Sequence, residues 1–208
     1  MEIGILGSGN IGANAARVFA RAGHHVRITN SRGPESLGSL VAEIGNNVEA
    51  MSAQEAVDAS DVFLIAVPWT KREEALGEIE GWDEKIVIDA MNPYTEDFEI
   101  EDLGSKTSTE FIRALVPGAR VVKAFNTIYY KRLATEGKPK GTPGRLAIPV
   151  ASDDPAAKRV VMDLIEEIGF DAVDNGGLVE GGRKQQPGSP IYNQPLGAKE
   201  MRDELARV

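Results

Sequence analysis

Short β-branched runs alternate with helical patterns along the first two thirds of the chain, and this alternation restricts the fold more than any other feature. Residues 2–6 (EIGIL), 25–29 (HVRIT), 61–67 (DVFLIAV), 85–89 (KIVID) and 120–125 (RVVKAF) read as strands, with a weaker one at 48–51. Their apolar residues run on without clean alternation, as a strand requires when both faces of its sheet are covered. Between them, Ile11, Ala15, Val18 and Phe19 share a helical face that Gly23 ends, and Leu37, Leu40 and Val41 share another over 36–43. Further helices are expected at 52–59, 71–79 and 108–115. Strand and helix in alternation predict an α/β fold: a doubly wound, mostly parallel sheet with helices on both faces. Beyond Asn126 the pattern changes. Residues 134–144 (ATEGKPKGTPG) read as a surface loop, 146–151, 154–168 and 170–173 add one strand–helix–strand unit, and the Gly- and Pro-dense stretch 176–195 is expected to be irregular. These shifts divide the chain into 1–128 and a smaller C-terminal α/β extension, 129–208.

The size suits one domain with a modest appendage: 208 residues, 42% hydrophobic, enough to bury a core without covalent staples. The absence of cysteine removes disulfides, thiol nucleophiles and Cys-ligated zinc. With 23 Lys+Arg against 32 Asp+Glu the net charge is −9, which argues against a nucleic-acid backbone as partner. No apolar run approaches the ~18–20 residues of a membrane span. The start, Met1-Glu2 followed by glycine-interrupted apolar residues, does not resemble a secretory signal. A cytoplasmic location is expected.

Gly7-Ser8-Gly9-Asn10-Ile11-Gly12 matches G-x-G-x-x-G. The bare pattern also occurs in plain turns, but here it follows a strand and opens an amphipathic helix. Gly7 then serves the tight turn, Gly9 the approach of a pyrophosphate, and Gly12 the close contact of helix and sheet, with the phosphates on free N–H groups at the helix N-terminus. Dinucleotide sites for NAD place a carboxylate at the end of the second strand, ~20 residues on. This chain has Asn30-Ser31-Arg32 there, with no carboxylate to repel a 2′-phosphate and with a hydroxyl and a guanidinium to bind it. The expected cofactor is NADP(H). Arg32 as a solvated loop charge is the alternative.

Val67-Pro68-Trp69, Asn92-Pro93 and Ala124-Phe125-Asn126-Thr127 close three successive strands at the edge where ligands bind in open α/β sheets. Together they suit a nicotinamide pocket; singly, the prolines stop strands, Trp69 packs and the asparagines cap turns. No Tyr-x-x-x-Lys pair exists, since Leu133 and Ala134 stand four positions after Tyr129 and Tyr130. His24 and His25 fall at the opposite edge and read as surface residues. Asp153-Asp154 reads as a helix cap. No metal ligands and no acid–base residue are expected, which suits a reaction whose second partner is itself a hydride acceptor.

GILGSGNIG (4–12), NSRGPESL (30–37), AVPW (66–69), VVKAFNTI (121–128), LAIPVASDDPAAK (146–158), IGFDAVDNGGL (168–178) and QPGSPIY (186–192) together resemble the NADPH-dependent coenzyme F420 reductases, the F420H2:NADP oxidoreductases. The resemblance covers nearly the whole chain. It implies an N-terminal Rossmann domain, a C-terminal portion that helps form the deazaflavin pocket, a homodimer, and direct hydride transfer between nicotinamide C4 and deazaflavin C5. By position it implies Ser8, Asn10 and Ile11 along the pyrophosphate and Ser31 and Arg32 at the 2′-phosphate. Val67, Pro68, Asn92 and Ala124 would border ribose and nicotinamide, and 187–190 would lie near the second cofactor. Ser8 stands where relatives often have glycine or threonine. The alternatives are NADPH-dependent reduction of a flavin, quinone, imine or small carbonyl compound, and a non-catalytic NADP sensor.

Overall fold

The computed structural model describes residues 1–45 and 47–207. Strands β1 (Glu2–Leu6), β2 (His25–Thr29), β3 (Val48–Ala50), β4 (Val62–Ile65), β5 (Ile86–Asp89) and β6 (Arg120–Lys123) form one parallel sheet in the order β3-β2-β1-β4-β5-β6. Helices α1 (Asn10–Arg21), α2 (Gly38–Ile44), α3 (Ala53–Asp58), α4 (Arg72–Leu76) and α5 (Ser108–Leu115) make the connections. The order reverses between β1 and β4, the topological switch point where an open α/β sheet leaves a crevice at its carboxyl edge.

The uninterrupted apolar strands are explained by the two faces they serve. In β4, Val62 and Leu64 enter the core beneath α1, while Phe63 and Ile65 enter the second core with Trp82 and Ile112. Ile86 and Ile88 of β5 part from Val87 in the same way. Ser52 and Thr107 open α3 and α5 with capping boxes closed by Glu55 and Glu110.

After α6 (Tyr130–Thr135), strands β7 (Ala147–Val150) and β8 (Asp171–Asp174) pair in parallel around α7 (Pro155–Glu167). An antiparallel bridge, Lys123 to Ala151, ties β7 to the edge of β6. Val150, Val161 and Leu164 join the core that holds Ile5 and Phe19, so apolar packing runs without a break across residue 128.

The sequence reading is corrected in two places. Within 176–195, expected to be irregular, lies helix α8 (Leu178–Lys184), followed by α9 (Ala198–Leu205). Gly181 and Gly182 weaken the local helix signal, but α8 sits so close to the body that a Cβ at Gly181 would fall 2.2 Å from the Asn175 carbonyl oxygen and 2.5 Å from Ala151 Cβ. Tertiary contact overrides propensity there. His24, read as a surface residue, is buried. Its ring meets Phe19 edge-on at 6.4 Å, its Nε2 lies 3.0 Å from Glu167, and burial holds its pKa below the ordinary imidazole value. His25 is exposed.

Candidate functional site

The three glycines after β1 meet three different surroundings. Gly7 has φ +108°, and a Cβ there would stand 2.4 Å from the Ala66 carbonyl oxygen of the neighbouring strand end. A Cβ at Gly12 would stand 1.8 Å from the Gly7 carbonyl oxygen. At Gly9 a Cβ would meet nothing within 4 Å. The protein's own packing therefore demands glycine at 7 and 12, whereas at 9 the space left open lies outside the chain. Gly9 is also the N-cap of α1, contributes no capping side chain, and is followed by a first turn without an acidic residue. The free N–H groups and the positive end of the helix face that space uncompensated, as a pyrophosphate requires.

Asn30, one residue past β2, ties this loop to the next. Its Nδ2 donates to Ser8 Oγ (3.1 Å) and Ser36 Oγ (3.0 Å), and its Oδ1 accepts the Arg32 backbone N–H (2.9 Å). Ser36 Oγ in turn donates to the Gly33 carbonyl (2.8 Å). Ser31 and Arg32 are exposed on this braced turn, and among the described residues Arg32 makes no ion pair. A fixed backbone carrying an uncommitted guanidinium and a hydroxyl suits a phosphate monoester.

Val67 lies half-buried against the glycine turn, within 3.3 Å of where a Gly7 Cβ would be, and Pro68 is exposed beside it. Trp69 is buried: its Nε1 donates to Glu101 (2.5 Å), its ring meets Phe111 edge-on, and Arg72 stacks over it at 4.0 Å. Its geometry is that of packing. Ala124 is likewise buried, in the first core.

Beyond Gly9, Asn10 and Ile11 form one wall of a cavity of about 260 Å³. Asn92 and Asn126 form another, and Tyr129, Tyr130, Tyr192 and Asn193 close it. Asn126 Nδ2 donates to Asn92 Oδ1 (3.0 Å) and the Gln185 carbonyl (2.7 Å); Asn92 Nδ2 donates to the Asn126 carbonyl (2.8 Å) and Tyr192 Oη (3.3 Å). Burial, with the Tyr94 phenol beside it, pushes the Tyr192 pKa up. Sequence reasoning did not place the tyrosines here; Tyr129 and Tyr130 directly follow the Asn126-Thr127-Ile128 strand end, which was the one available signal. Residues 187–190 directly precede Ile191 and Tyr192 in the chain.

A buried ion pair underlies this wall. Asp89 and Lys123, opposite each other at the ends of β5 and β6, stand 3.0 Å apart and are 0% and 1% exposed. Lys123 Nζ also donates to the Met91 carbonyl (2.5 Å), and Asp89 accepts from the Thr109 hydroxyl (2.7 Å) and the Met91 N–H (2.9 Å). Burial pulls the Lys123 pKa down, opposed by Asp89. Two residues on, Phe125 takes φ +65°, rare for a bulky side chain, and that turn sends Asn126 toward Asn92. Among the described residues no group of three or more His, Asp or Glu is arranged to hold a metal.

A parallel sheet that opens at its switch point onto an uncompensated helix N-terminus, with a phosphate-ready turn at the second strand, is a Rossmann-type dinucleotide-binding fold. The chain belongs to the family of NADP oxidoreductases, coenzyme F420-dependent, whose model matches residues 2–93. A solved structure of a hypothetical protein from Sinorhizobium meliloti is 36% identical with a TM-score of 0.85, over 93% of this chain and 94% of that one. An Arthrobacter sp. FB24 protein, proposed to be an F420-dependent NADP-reductase, is 25% identical with a TM-score of 0.74, over 86% of each chain. The rat metalloreductase STEAP3 is 27% identical over 177 residues, 85% of this chain. The chain spans about a third (34%) of the length of that curated relative.

Proposed function

We propose that the protein transfers hydride between NADP(H) and a small acceptor bound in the cleft, with coenzyme F420 as the acceptor that the family description supports. The observation that carries the reading is the empty space at Gly9, bounded by the free end of α1 and adjoining the cavity that Asn10 and Ile11 share with Asn92 and Asn126. When bound, NADPH supplies the hydride from its nicotinamide. The chain's own residues hold and aim it: the N–H groups of Gly9, Asn10 and Ile11 on the pyrophosphate, Ser31 and Arg32 on the 2′-phosphate, Asn92 and Asn126 at the nicotinamide end. The linked Asn92–Asn126 pair fixes the back wall before the ligand arrives, so little ordering is left to the moment of binding. We extend the reading to a cytoplasmic homodimer, to be checked by light scattering with and without NADPH.

The test is to mix the protein with NADPH and oxidised coenzyme F420 and follow the deazaflavin absorbance, with FMN as a second acceptor and NADH as a second donor. Rapid bleaching with NADPH alone is expected. No bleaching, with NADPH shown to bind by its fluorescence, would remove the deazaflavin from the reading and leave the dinucleotide site in place.

A further inference from the structure

The sequence shows no residue paired for proton transfer, yet the folded chain places a phenol in the cleft. Tyr192 arrives from a segment 100 residues beyond Asn92, and its Oη accepts from Asn92 Nδ2 at 3.3 Å in the cavity that Asn10 also lines. Every side chain lining this cavity is uncharged. No fixed charge in the lining competes for the acceptor, and Tyr192 is among the O–H groups that line it. From this placement we infer that the site also reduces a small uncharged carbonyl compound, with Tyr192 as the catalytic acid that protonates the carbonyl oxygen. The inference rests on the NADP reading.

The step balances. The C4–H bond of the nicotinamide breaks with its electron pair, and a C–H bond forms at the carbonyl carbon. The C=O π pair moves to oxygen, the Tyr192 O–H bond breaks, and its proton joins that oxygen. NADPH is oxidised, the carbonyl is reduced to an alcohol, and the phenolate recovers a proton from solvent. Because the Asn92 amide donates to Oη, it does not hold the Tyr192 proton, and the Tyr94 phenol is the neighbour with which the acceptor's oxygen competes for it. Burial and Tyr94 keep the phenol protonated across the working pH range, so the acid form is always present. A hydride acceptor that already carries positive charge needs no such proton.

That difference supplies the experiment. Wild type and Tyr192→Phe are compared with NADPH and two probes: para-nitrobenzaldehyde, which needs hydride and proton, and N-methyl-dihydroisoquinolinium, which needs hydride alone. The variant is expected to lose roughly 10²–10⁴-fold in kcat on the aldehyde, the range for a positioned acid. Its loss on the iminium is expected to be far smaller than its loss on the aldehyde, with NADPH affinity read separately by fluorescence. An ultraviolet difference titration of the free proteins should assign to Tyr192 an ionisation above that of free tyrosine. Equal loss on both probes, aldehyde reduction that survives in the variant, or a phenol already ionised near neutrality overturns the inference. So does a wild type that binds NADPH but leaves the aldehyde untouched; failure to bind NADPH would instead strike the reading beneath it. Should the variant not fold, the wild type still decides: a solvent deuterium effect on the aldehyde alone is expected, and the same effect on both probes refutes the acid role.

Discussion

The two ends of the cleft are built from differently spaced pieces of chain. The glycine-loop end comes from six consecutive residues, Gly7 to Gly12, braced by a turn at Asn30–Ser36. The other end needs Asn92, Asn126, Gln185 and Tyr192, brought together through β5, β6 and the stretch after α8. At the first end the constraints are steric and fall on glycines. At the second they are polar: a buried ion pair, two linked amides and a phenol. A local motif needs only its own backbone to be correct, whereas the distant wall depends on the whole sheet being in register.

The largest separation should appear within the glycine loop itself. Gly12→Val drives a side chain into the Gly7 carbonyl and is expected to destabilise the fold on the order of 4 kcal/mol, seen as a fall in urea midpoint. Gly9→Val meets no protein atom, so its midpoint should stay near wild type while NADPH binding by calorimetry disappears. A stable Gly12→Val, or a Gly9→Val that still binds NADPH, breaks the distinction between ligand-imposed and packing-imposed glycine.

At the far end, Lys123→Met leaves the Asp89 carboxylate buried without its cation and should cost about 3–5 kcal/mol of stability in denaturant unfolding. Replacing both partners, Asp89→Leu with Lys123→Met, should recover most of that loss, since an apolar pair carries no desolvation penalty. A double variant no more stable than the single one would show that the ion pair is not what holds the β5 and β6 ends. Arg32→Ala removes one charged hydrogen-bonding group and should lower the preference for NADPH over NADH by about 1.5–3 kcal/mol, roughly 10- to 150-fold in the ratio of affinities. An unchanged ratio would return Arg32 to the solvated surface.

The smallest effect belongs to the C-terminal portion. Asp154 caps α7 by accepting the Ala156 and Ala157 N–H groups and pairs with Arg120, which holds its carboxyl well below the usual range. Asp154→Ala should cost about 1 kcal/mol. With the folded pKa depressed, the stabilisation is present above the unfolded aspartate value of roughly 4 and fades as pH falls below it. The variant's acid unfolding curve should therefore be flatter than wild type in that window.

What the sequence made legible follows the same division. The strands of the main sheet and the turn at Gly7 are local signals, written in β-branched runs and in one six-residue pattern. The cap at Asp154 was legible for the same reason. Helix α8 was hidden because Gly181 and Gly182 look like loop residues until Asn175 and Ala151 are seen pressing against them. The burial of His24 depends on Phe19 and on Glu167, a residue of the distant α7, and the Asp89–Lys123 pair on the register between two strands. None of these leaves a mark on a single stretch of sequence.

The long reach from Asn92 to Tyr192 also bears on the order in which the molecule assembles. Closing a chain loop of 100 residues carries a larger entropic cost than closing the turn after β1, and contacts of such separation form late. A species with β1, α1 and β2 in place but the last segment undocked would already present the glycine turn and the free end of α1. Docking Tyr192 onto Asn92 is thus the long-range step that closes the far wall of the cleft.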